Sequence, residues 1–98
     1  MEKKELIAAE QFCTSHQIEF SFINSLQELG LVEITRIDDV GFISLNQLQK
    51  LERFVRLHYE LEINPQGIDA ISHLLNRIED MQAELLRLRN RLRRYETE

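Results

Sequence analysis

The side chains of this sequence best suited to chemistry are carboxylates. Between residues 5 and 49 there are seven acids and one basic side chain, Arg36. Residues 1–64 hold eleven acids and six basic side chains, whereas residues 65–98 hold six of each, so the formal charge of −5 belongs to the first part. An acidic surface attracts basic partners and repels polyanions, although solubility alone is the alternative explanation. The candidate contacts for a basic protein partner are Glu19, Glu28, Glu33, Asp38, Asp39, Glu60 and Glu62.

Patterns for catalysis or metal binding are weak. Ser15 precedes His16 without a recognisable nucleophile elbow, and Cys13 with His16 supplies two metal ligands where a structural site commonly has four. His58 and His73 stand alone on helical segments. The sequence therefore predicts no enzyme, no cofactor and no metal site. Cys13, the single cysteine, lies among apolar residues and is expected to be buried and inert.

Length and composition define the class of protein. A chain of 98 residues, 43% hydrophobic and 30% charged, has room for one folded domain. No apolar run approaches the roughly 20 residues of a membrane span, and the first residues lack the apolar region of a signal peptide. We therefore expect a cytoplasmic protein.

The first half has the pattern of a helix-turn-helix followed by a β-hairpin. A helix is predicted from Glu5 to Thr14, interrupted by the three residues that follow it, and apolar residues recur at helical spacing from Ile18 to Leu29. Gly30 then suits a left-handed helix cap. Residues 31–37 predict a strand and Phe42–Ile43 the returning strand, with turn residues between them. Two helices with a tight connection and a hairpin form a helix-turn-helix with a wing.

Two helices are predicted to follow the wing. Ser44 and Gln47 have the capping-box spacing, which opens a helix from Leu45 to about Glu62. Its inward stripe is predicted to be Leu48, Leu51, Val55, Leu57 or His58, and Leu61. Asn64 as cap and Pro65 as first helical residue then start a helix that can run to the end of the chain.

This last helix carries the strongest structural pattern. Its apolar residues alternate at three and four positions through four heptads, which is typical of a coiled coil. At about 1.5 Å per residue a helix from residue 65 to 96 is roughly 48 Å long, more than the preceding residues can cover. We predict a homodimer whose interface comprises Ile71, Leu74, Ile78, Met81, Leu85, Leu88, Leu92 and Tyr95. The flanking charges fit both a parallel and an antiparallel pair, so the orientation stays open.

The predicted organisation is a headpiece, residues 1–64, followed by a dimerisation helix, residues 65–98. The predicted fold class is mainly α: a winged helix-turn-helix with a small β wing and a long C-terminal coiled-coil helix.

Five segments spread along nearly the whole chain carry a family resemblance. They are Gln11-Phe12-Cys13, Leu29-Gly30-Leu31-Val32-Glu33, Arg56-Leu57-His58-Tyr59-Glu60-Leu61, Gly67-Ile68 and Leu86-Arg87-Leu88-Arg89-Asn90-Arg91-Leu92. In order and spacing they resemble the chaperone-modulator (CbpM-like) family, within the MerR-like winged helix-turn-helix group. The resemblance implies a dimer that binds the J-domain of a DnaJ-like co-chaperone and inhibits both its stimulation of a heat-shock chaperone and its DNA binding.

The resemblance has further implications for the contacts. It implies that the J-domain presents a basic helical face, which an acidic headpiece can mask. Arg56 joins the candidate contacts because it opens the family-like segment that contains Glu60. The wider MerR-like group pairs through antiparallel C-terminal helices.

The alternative function is a small MerR-like DNA-binding transcriptional regulator. MerR-type recognition helices and wings usually carry basic residues, but the matching residues 22–27 and 41–43 hold none. Phosphate neutralisation supplies much of the affinity for DNA, so this function would need a basic face assembled by the dimer. Its members would be Arg36, Lys50, Arg53 and the arginines of residues 87–94. That arginine run suits either nucleic-acid contact or the flank of a coiled coil near a helix C-terminus.

Overall fold

Four helices, three short strands and one 3₁₀ turn make up residues 5–96, which are the residues described by this computed structural model. In chain order they are β1 (Leu6–Ala8), α1 (Ala9–His16), α2 (Phe20–Glu28), β2 (Thr35–Ile37), β3 (Val40–Ser44), the 3₁₀ turn (Leu45–Gln47), α3 (Leu48–Tyr59) and α4 (Pro65–Glu96). The strands form one antiparallel sheet in the order β1-β3-β2. The predicted fold class, a mainly α winged helix-turn-helix with a long C-terminal helix, is confirmed.

The beginning of the chain departs from the prediction. Residues 6–8 form a strand, so the helix predicted from Glu5 begins only at Ala9, and it continues through His16 to a left-handed cap at Gln17 with φ of 55°. In the sheet, Ile7 lies opposite Ile43, which is fully buried. Pairing with an edge of β3 outweighs helix propensity, which is a weak preference that tertiary contacts override.

The second helix and its cap follow the prediction closely. Phe22, Ile23 and Leu26 of α2 point into the core at helical spacing. The chain then turns at Gly30, whose φ of +76° is the left-handed conformation expected there. The remainder of the helix-turn-helix therefore forms as its periodicity indicated.

The wing is shorter on one side than predicted. Only Thr35–Ile37 of the predicted strand pairs with β3, because Leu31 and Val32 are drawn into the core as loop residues. Asp38 and Asp39 both have positive φ, 50° and 65°, and they form a two-residue hairpin turn. This is the turn geometry that matches the twist of the paired strands. The returning strand accordingly starts at Val40 and is five residues long.

The third helix differs from its prediction at both ends. The predicted capping box is absent: the Ser44 side chain makes no cap hydrogen bond to the helix backbone, and residues 45–47 form a 3₁₀ turn before α3. The helix also stops at Tyr59, so that Leu61, predicted to face inward, is 64% exposed. Phe54 is buried on the inward face beside Leu51. The core contains Ala9, Phe12, Cys13, Phe22, Ile23, Leu26, Leu31, Val32, Ile43, Leu51, Phe54 and Ile68.

The last helix is anchored to this core only by its first turns. Asn64 caps it, since its side-chain oxygen accepts a hydrogen bond from the Gly67 backbone N–H at 2.7 Å. Ile68 is fully buried, and Ile71 and Leu75 are half-buried against α3. Every residue from 76 to 96 is exposed in this single chain. The predicted helix over residues 65–96 is confirmed.

Candidate protein-binding surface

The tip of the wing carries two of the candidate acids. Asp38 and Asp39 occupy the central positions of the hairpin turn and are exposed to solvent. Aspartate tolerates positive φ better than most residues, so the turn itself selects side chains of this kind. Ile37 and Val40, the residues that flank the turn, are paired across the strands and are 47% and 46% exposed. The tip therefore presents two carboxylates beside two apolar side chains.

The outward face of α2 is polar and uncharged over most of its length. The helix contains no lysine or arginine, and its exposed residues include Ser21 and Asn24. The Ser25 hydroxyl donates a hydrogen bond to the Ser21 carbonyl oxygen at 3.0 Å, so this hydroxyl is already paired within the helix. In a helix-turn-helix, phosphate contacts position the protein on DNA, and such contacts come largely from basic side chains. The α2 surface carries no basic side chain that could make such contacts.

A corner between α2 and α3 brings two candidate acids near each other. The Glu19 backbone N–H donates to the Tyr59 hydroxyl at 3.1 Å, and Glu60 follows Tyr59 directly. Phe22 fixes this corner from below: its ring stacks on His58 with centroids 4.4 Å apart and meets the edge of Tyr59 at 5.6 Å. Glu19 and Glu60 are thus positioned by packed aromatic rings.

His58, on the other side of the same corner, contacts the segment after α3. Its Nδ1 lies 2.7 Å from the Ile63 carbonyl oxygen. A carbonyl only accepts hydrogen bonds, so Nδ1 carries the proton in this contact. The bond ties the end of α3 to the segment that leads into α4.

Glu33 is positioned by a different contact. The Gln47 side chain accepts a hydrogen bond from the Glu33 backbone N–H and donates one to the Glu33 carbonyl. The carboxylate itself stays exposed beside a shallow depression that Lys50 also lines. Glu33 therefore shares this depression with a cationic residue of the same chain.

The remaining candidates lie at the ends of other elements. Glu28 ends α2, about 14 Å along the helix from Glu19 at about 1.5 Å per residue. Arg56 is exposed on α3, and Glu62 is exposed with a positive φ of 56° in the connection to α4. Asp38 and Asp39 thus share one turn, and Glu19 contacts Tyr59, the residue before Glu60, while Glu28 lies at the opposite end of α2.

The basic side chains required for DNA binding are divided between different surfaces. Arg36 lies opposite Gly41 in the wing and lines a groove next to α2. Lys50 and Arg53 line a cleft between α3 and α4 instead. Within one headpiece these three side chains therefore do not converge on the α2 surface.

The predicted dimer residues form an open apolar stripe on α4. Leu74, Ile78, Met81, Leu85, Leu88, Leu92 and Tyr95 are between 49% and 74% exposed. Ile71 differs, because it is half-buried in the cleft beside Phe54 and Leu57. Glu84 forms an ion pair with Arg87 one turn further along the helix. A stripe of this size is left without a covering surface in the single chain.

The thiol of Cys13 is buried, as predicted. Burial raises its pKa above the ordinary value of 9.0, and the nearby carboxylate of Glu10 raises it further. His16 stacks on Phe12 with centroids 4.1 Å apart, and its Nδ1 lies 3.1 Å from the Phe12 carbonyl. The ring is therefore held by the core and the backbone of its own helix. In residues 5–96 no group of three or more histidine, cysteine or acidic side chains is arranged to hold a metal ion.

One acid and one aromatic residue of this surface are not among the candidates predicted from the sequence. Glu10 and Phe20 line the same groove as Arg36, between α1, the start of α2 and the wing. Neither has a distinguishing local pattern, because the groove exists only once the hairpin folds against the two helices. No helix in the described part of the chain is both long enough and apolar enough to cross a membrane.

A helix-turn-helix of α1 and α2, a β-hairpin wing and a supporting α3 define a winged helix-turn-helix protein. The chain belongs to the MerR helix-turn-helix (HTH) family: the model described as MerR HTH family regulatory protein matches residues 7–90. No curated protein and no solved structure matched the chain in the corresponding searches.

Proposed function

We propose that this protein is a homodimeric, non-enzymatic regulator that binds the J-domain of a DnaJ-like co-chaperone and inhibits it. The observation that carries the proposal is the charge of the headpiece. In α2 and the hairpin, Arg36 is the single basic side chain, whereas Asp38 and Asp39 occupy the tip. A MerR-type headpiece with this surface is better suited to a basic protein than to phosphates.

The J-domain enters the proposal through the resemblance to the chaperone-modulator family. That resemblance implies a basic helical face on the J-domain, and charge complementarity would guide its encounter with the acidic headpiece. The wing tip and the Glu19–Glu60 corner are the two places where the folded chain holds candidate acids together. The wing tip is formed by the hairpin turn, and the corner is packed against aromatic rings.

Dimerisation is supported by the exposed stripe of α4. Residues 77–96 extend about 30 Å at about 1.5 Å per residue and make no contact that buries them in their own headpiece. Isolated amphipathic helices gain most of their stability from packing of the apolar face, so a second copy is the natural cover for a heptad stripe.

We further propose that the two α4 helices run antiparallel. In a parallel pair Ile71 would have to face the second helix, at a place where Phe54 and Leu57 of α3 already lie. An antiparallel pair centred between residues 86 and 87 uses only the segment that leaves the headpiece. It places Ile78 opposite Tyr95, Met81 opposite Leu92 and Leu85 opposite Leu88 of the second copy.

Calorimetric titration of the full chain with an isolated J-domain from the same source tests the proposal. We expect binding that weakens as salt is added, since exposed charges are screened. The double variants Asp38→Asn with Asp39→Asn, and Glu19→Gln with Glu60→Gln, should each weaken binding roughly fivefold, given about 0.2–1 kcal/mol per exposed charge pair. Asparagine keeps the positive-φ turn intact, so the first variant changes charge alone.

The matched control is Glu79→Gln with Asp80→Asn. These exposed residues of α4 lie outside the heptad stripe, and their change alters net charge equally. Failure of every J-domain from the same source to bind the unaltered protein would contradict the proposed function. If the control variant weakened J-domain binding equally, the headpiece acids would have no specific role in binding.

DNA-binding regulation is the second candidate, favoured by membership of the MerR HTH family itself. It would require a basic face built from both copies. Retention of the protein on duplex DNA at moderate salt, with affinity falling steeply as salt rises, would support it. We expect no retention, because the acidic headpiece repels the duplex.

A further inference from the structure

We propose that the groove between the wing and the start of α2 receives an apolar side chain from a basic amphipathic segment of the partner. This wing groove is lined by Glu10, Phe20, Ile34, Arg36, Asp39 and Val40, with Ala9 and Gly41 at its floor. The inference rests on the proposed function for the kind of partner, and it names the docking site and the chemistry that the partner must bring.

Two walls of the wing groove, formed by Phe20 and Val40, are apolar and open to solvent. Phe20 and Val40 are 40% and 46% exposed although both are large hydrophobic residues. Phe20 is the first residue of α2, whereas Val40 is the first residue of β3, so the two side chains approach from different elements. An apolar partner atom that enters between them removes surface from water on both sides.

The floor of the groove depends on the absence of a side chain at Gly41. A Cβ at this position would lie 3.0 Å from Cγ2 of Ile34 and 3.9 Å from Cβ of Ala9. Gly41 also lies opposite Arg36 in the β2–β3 pairing. The hairpin can therefore pack closely on α1 while leaving a depression above it.

The size of the depression indicates a single anchoring side chain. Its volume is about 260 Å³ and it is open on one side. Pockets for drug-sized molecules usually measure roughly 300–1,000 Å³ and enclose most of the ligand. A leucine, methionine or phenylalanine projecting from a larger partner fits this description, because the rest of the partner can cover the rim.

The charge around the groove selects a basic partner. Glu10 and Asp39 line it directly, and Glu19 and Asp38 immediately precede two of its lining residues. Two carboxylates and one guanidinium, that of Arg36, thus line the groove, and two further acids adjoin its lining residues in sequence. A helix with lysine or arginine on both sides of an apolar residue complements this rim, whereas an acidic segment or a nucleic-acid backbone is repelled.

The test uses two probes and a matched pair of variants. The probes are the isolated J-domain and a synthetic basic amphipathic peptide of about four helical turns, with leucines on one face and lysines elsewhere. Backbone amide spectra of the ¹⁵N-labelled full chain should shift at Phe20, Val40 and Gly41 on titration. The same peptide with glutamates in place of its lysines should produce no shift.

Val40→Thr keeps a β-branched side chain of similar shape but makes this wall of the groove polar. Ile37→Thr is the control, because Ile37 lies opposite Val40, is equally exposed and does not line the groove. We expect Val40→Thr to weaken binding roughly fivefold and Ile37→Thr to leave it nearly unchanged. Glu10→Gln should weaken it by roughly threefold through charge alone.

The outcomes separate the two proposals. Peptide binding at these amides without J-domain binding would overturn the proposed function and support the groove. J-domain binding that leaves the groove amides unshifted and responds equally to both threonine variants would overturn the groove and leave the function standing. The groove proposal is also overturned when neither probe shifts these amides, or when the acidic peptide shifts them as strongly.

Discussion

The side-chain amide of Gln47 binds the backbone of Glu33 as a neighbouring strand would. The Glu33 N–H donates to Oε1 at 2.8 Å, and Nε2 donates to the Glu33 carbonyl at 2.9 Å and to the Ser44 hydroxyl at 3.1 Å. The backbone N–H and carbonyl of Glu33 are therefore satisfied next to Leu31 and Val32, which are buried. One side chain replaces the strand pairing that the sequence had predicted for this loop.

Loss of this contact should loosen the loop. We expect Gln47→Ala to lower the free energy of unfolding by about 1–2 kcal/mol, since it removes a hydrogen-bonded pair. Urea unfolding measures the change, and hydrogen exchange at the Glu33 amide should become faster. Gln49→Ala, an exposed change two residues later, is the control; an equal loss in both variants would show that the contact is unimportant.

The hairpin turn should respond to residues that favour positive φ. Asp39, at φ of 65°, occupies the position that glycine takes most readily in a two-residue hairpin. We expect Asp39→Gly to raise the free energy of unfolding by about 0.5 kcal/mol and Asp39→Val to lower it by about 1–2 kcal/mol. Thermal unfolding checks both, with Asp39→Asn as a nearly neutral control. Destabilisation by glycine would contradict the turn geometry.

Gly67 is expected to resist a substitution that normally stabilises helices. Alanine usually gains about 1 kcal/mol over glycine inside a helix. Here a Cβ would lie 2.8 Å from Cγ2 of Ile63 and 3.1 Å from Oδ1 of Asn64, the oxygen that caps α4. Gly67→Ala should therefore lower the free energy of unfolding, measured in urea. Gln66→Ala, in the same turn, should be neutral, and a stabilised Gly67→Ala variant would show that the cap can move aside.

Two leucines of α4 provide a matched test of the dimer. Leu88 lies in the heptad stripe, whereas Leu86 lies outside it, and both are well exposed in the single chain, 49% and 60%. We expect Leu88→Asp to weaken dimerisation at least about tenfold, because two copies each lose an apolar contact of about 1.5–3 kcal/mol. Sedimentation equilibrium measures the change. Leu86→Asp should leave the dimer intact, and equal effects of both variants would exclude the stripe as the interface.

The thiol of Cys13 should react slowly and affect stability at high pH. Since burial raises its pKa, alkylation by iodoacetamide should be slower than in urea-unfolded chain at the same pH. The native thiol keeps its proton where the unfolded thiol has lost it, so the free energy of unfolding falls as pH rises past about 9.0. Cys13→Ala should lack this component. A rapid reaction in the native state would show that Cys13 is accessible.

The elements predicted correctly are those specified by local pattern. Helix α4 has a proline at its first position, an asparagine cap and a periodic apolar stripe, so it forms as expected. The same holds for α2, which ends before Gly30. Residues 6–8 were predicted as helix and form a strand, since their conformation depends on pairing with β3, which lies far along the chain.

The candidate surface was only partly predictable for the same reason. The excess of acids in the headpiece and the lack of cations in the recognition helix are properties of composition, and they remain as predicted. Which acids lie together is decided by packing: Glu19 bonds to Tyr59, the neighbour of Glu60, although Tyr59 is 40 positions away in sequence. Glu10 enters the wing groove through folding alone.

The sequence by itself determined the winged helix-turn-helix class, the acidic charge of its headpiece and the apolar stripe of its last helix. All three features are specified by residue types and by short spacings, through local propensity and hydrophobic periodicity. Only the tertiary structure determined the short strand β1, the hydrogen bonds between Gln47 and Glu33, and the wing groove around Phe20 and Val40. Those features require segments distant in sequence to meet, and only the packed core brings them together.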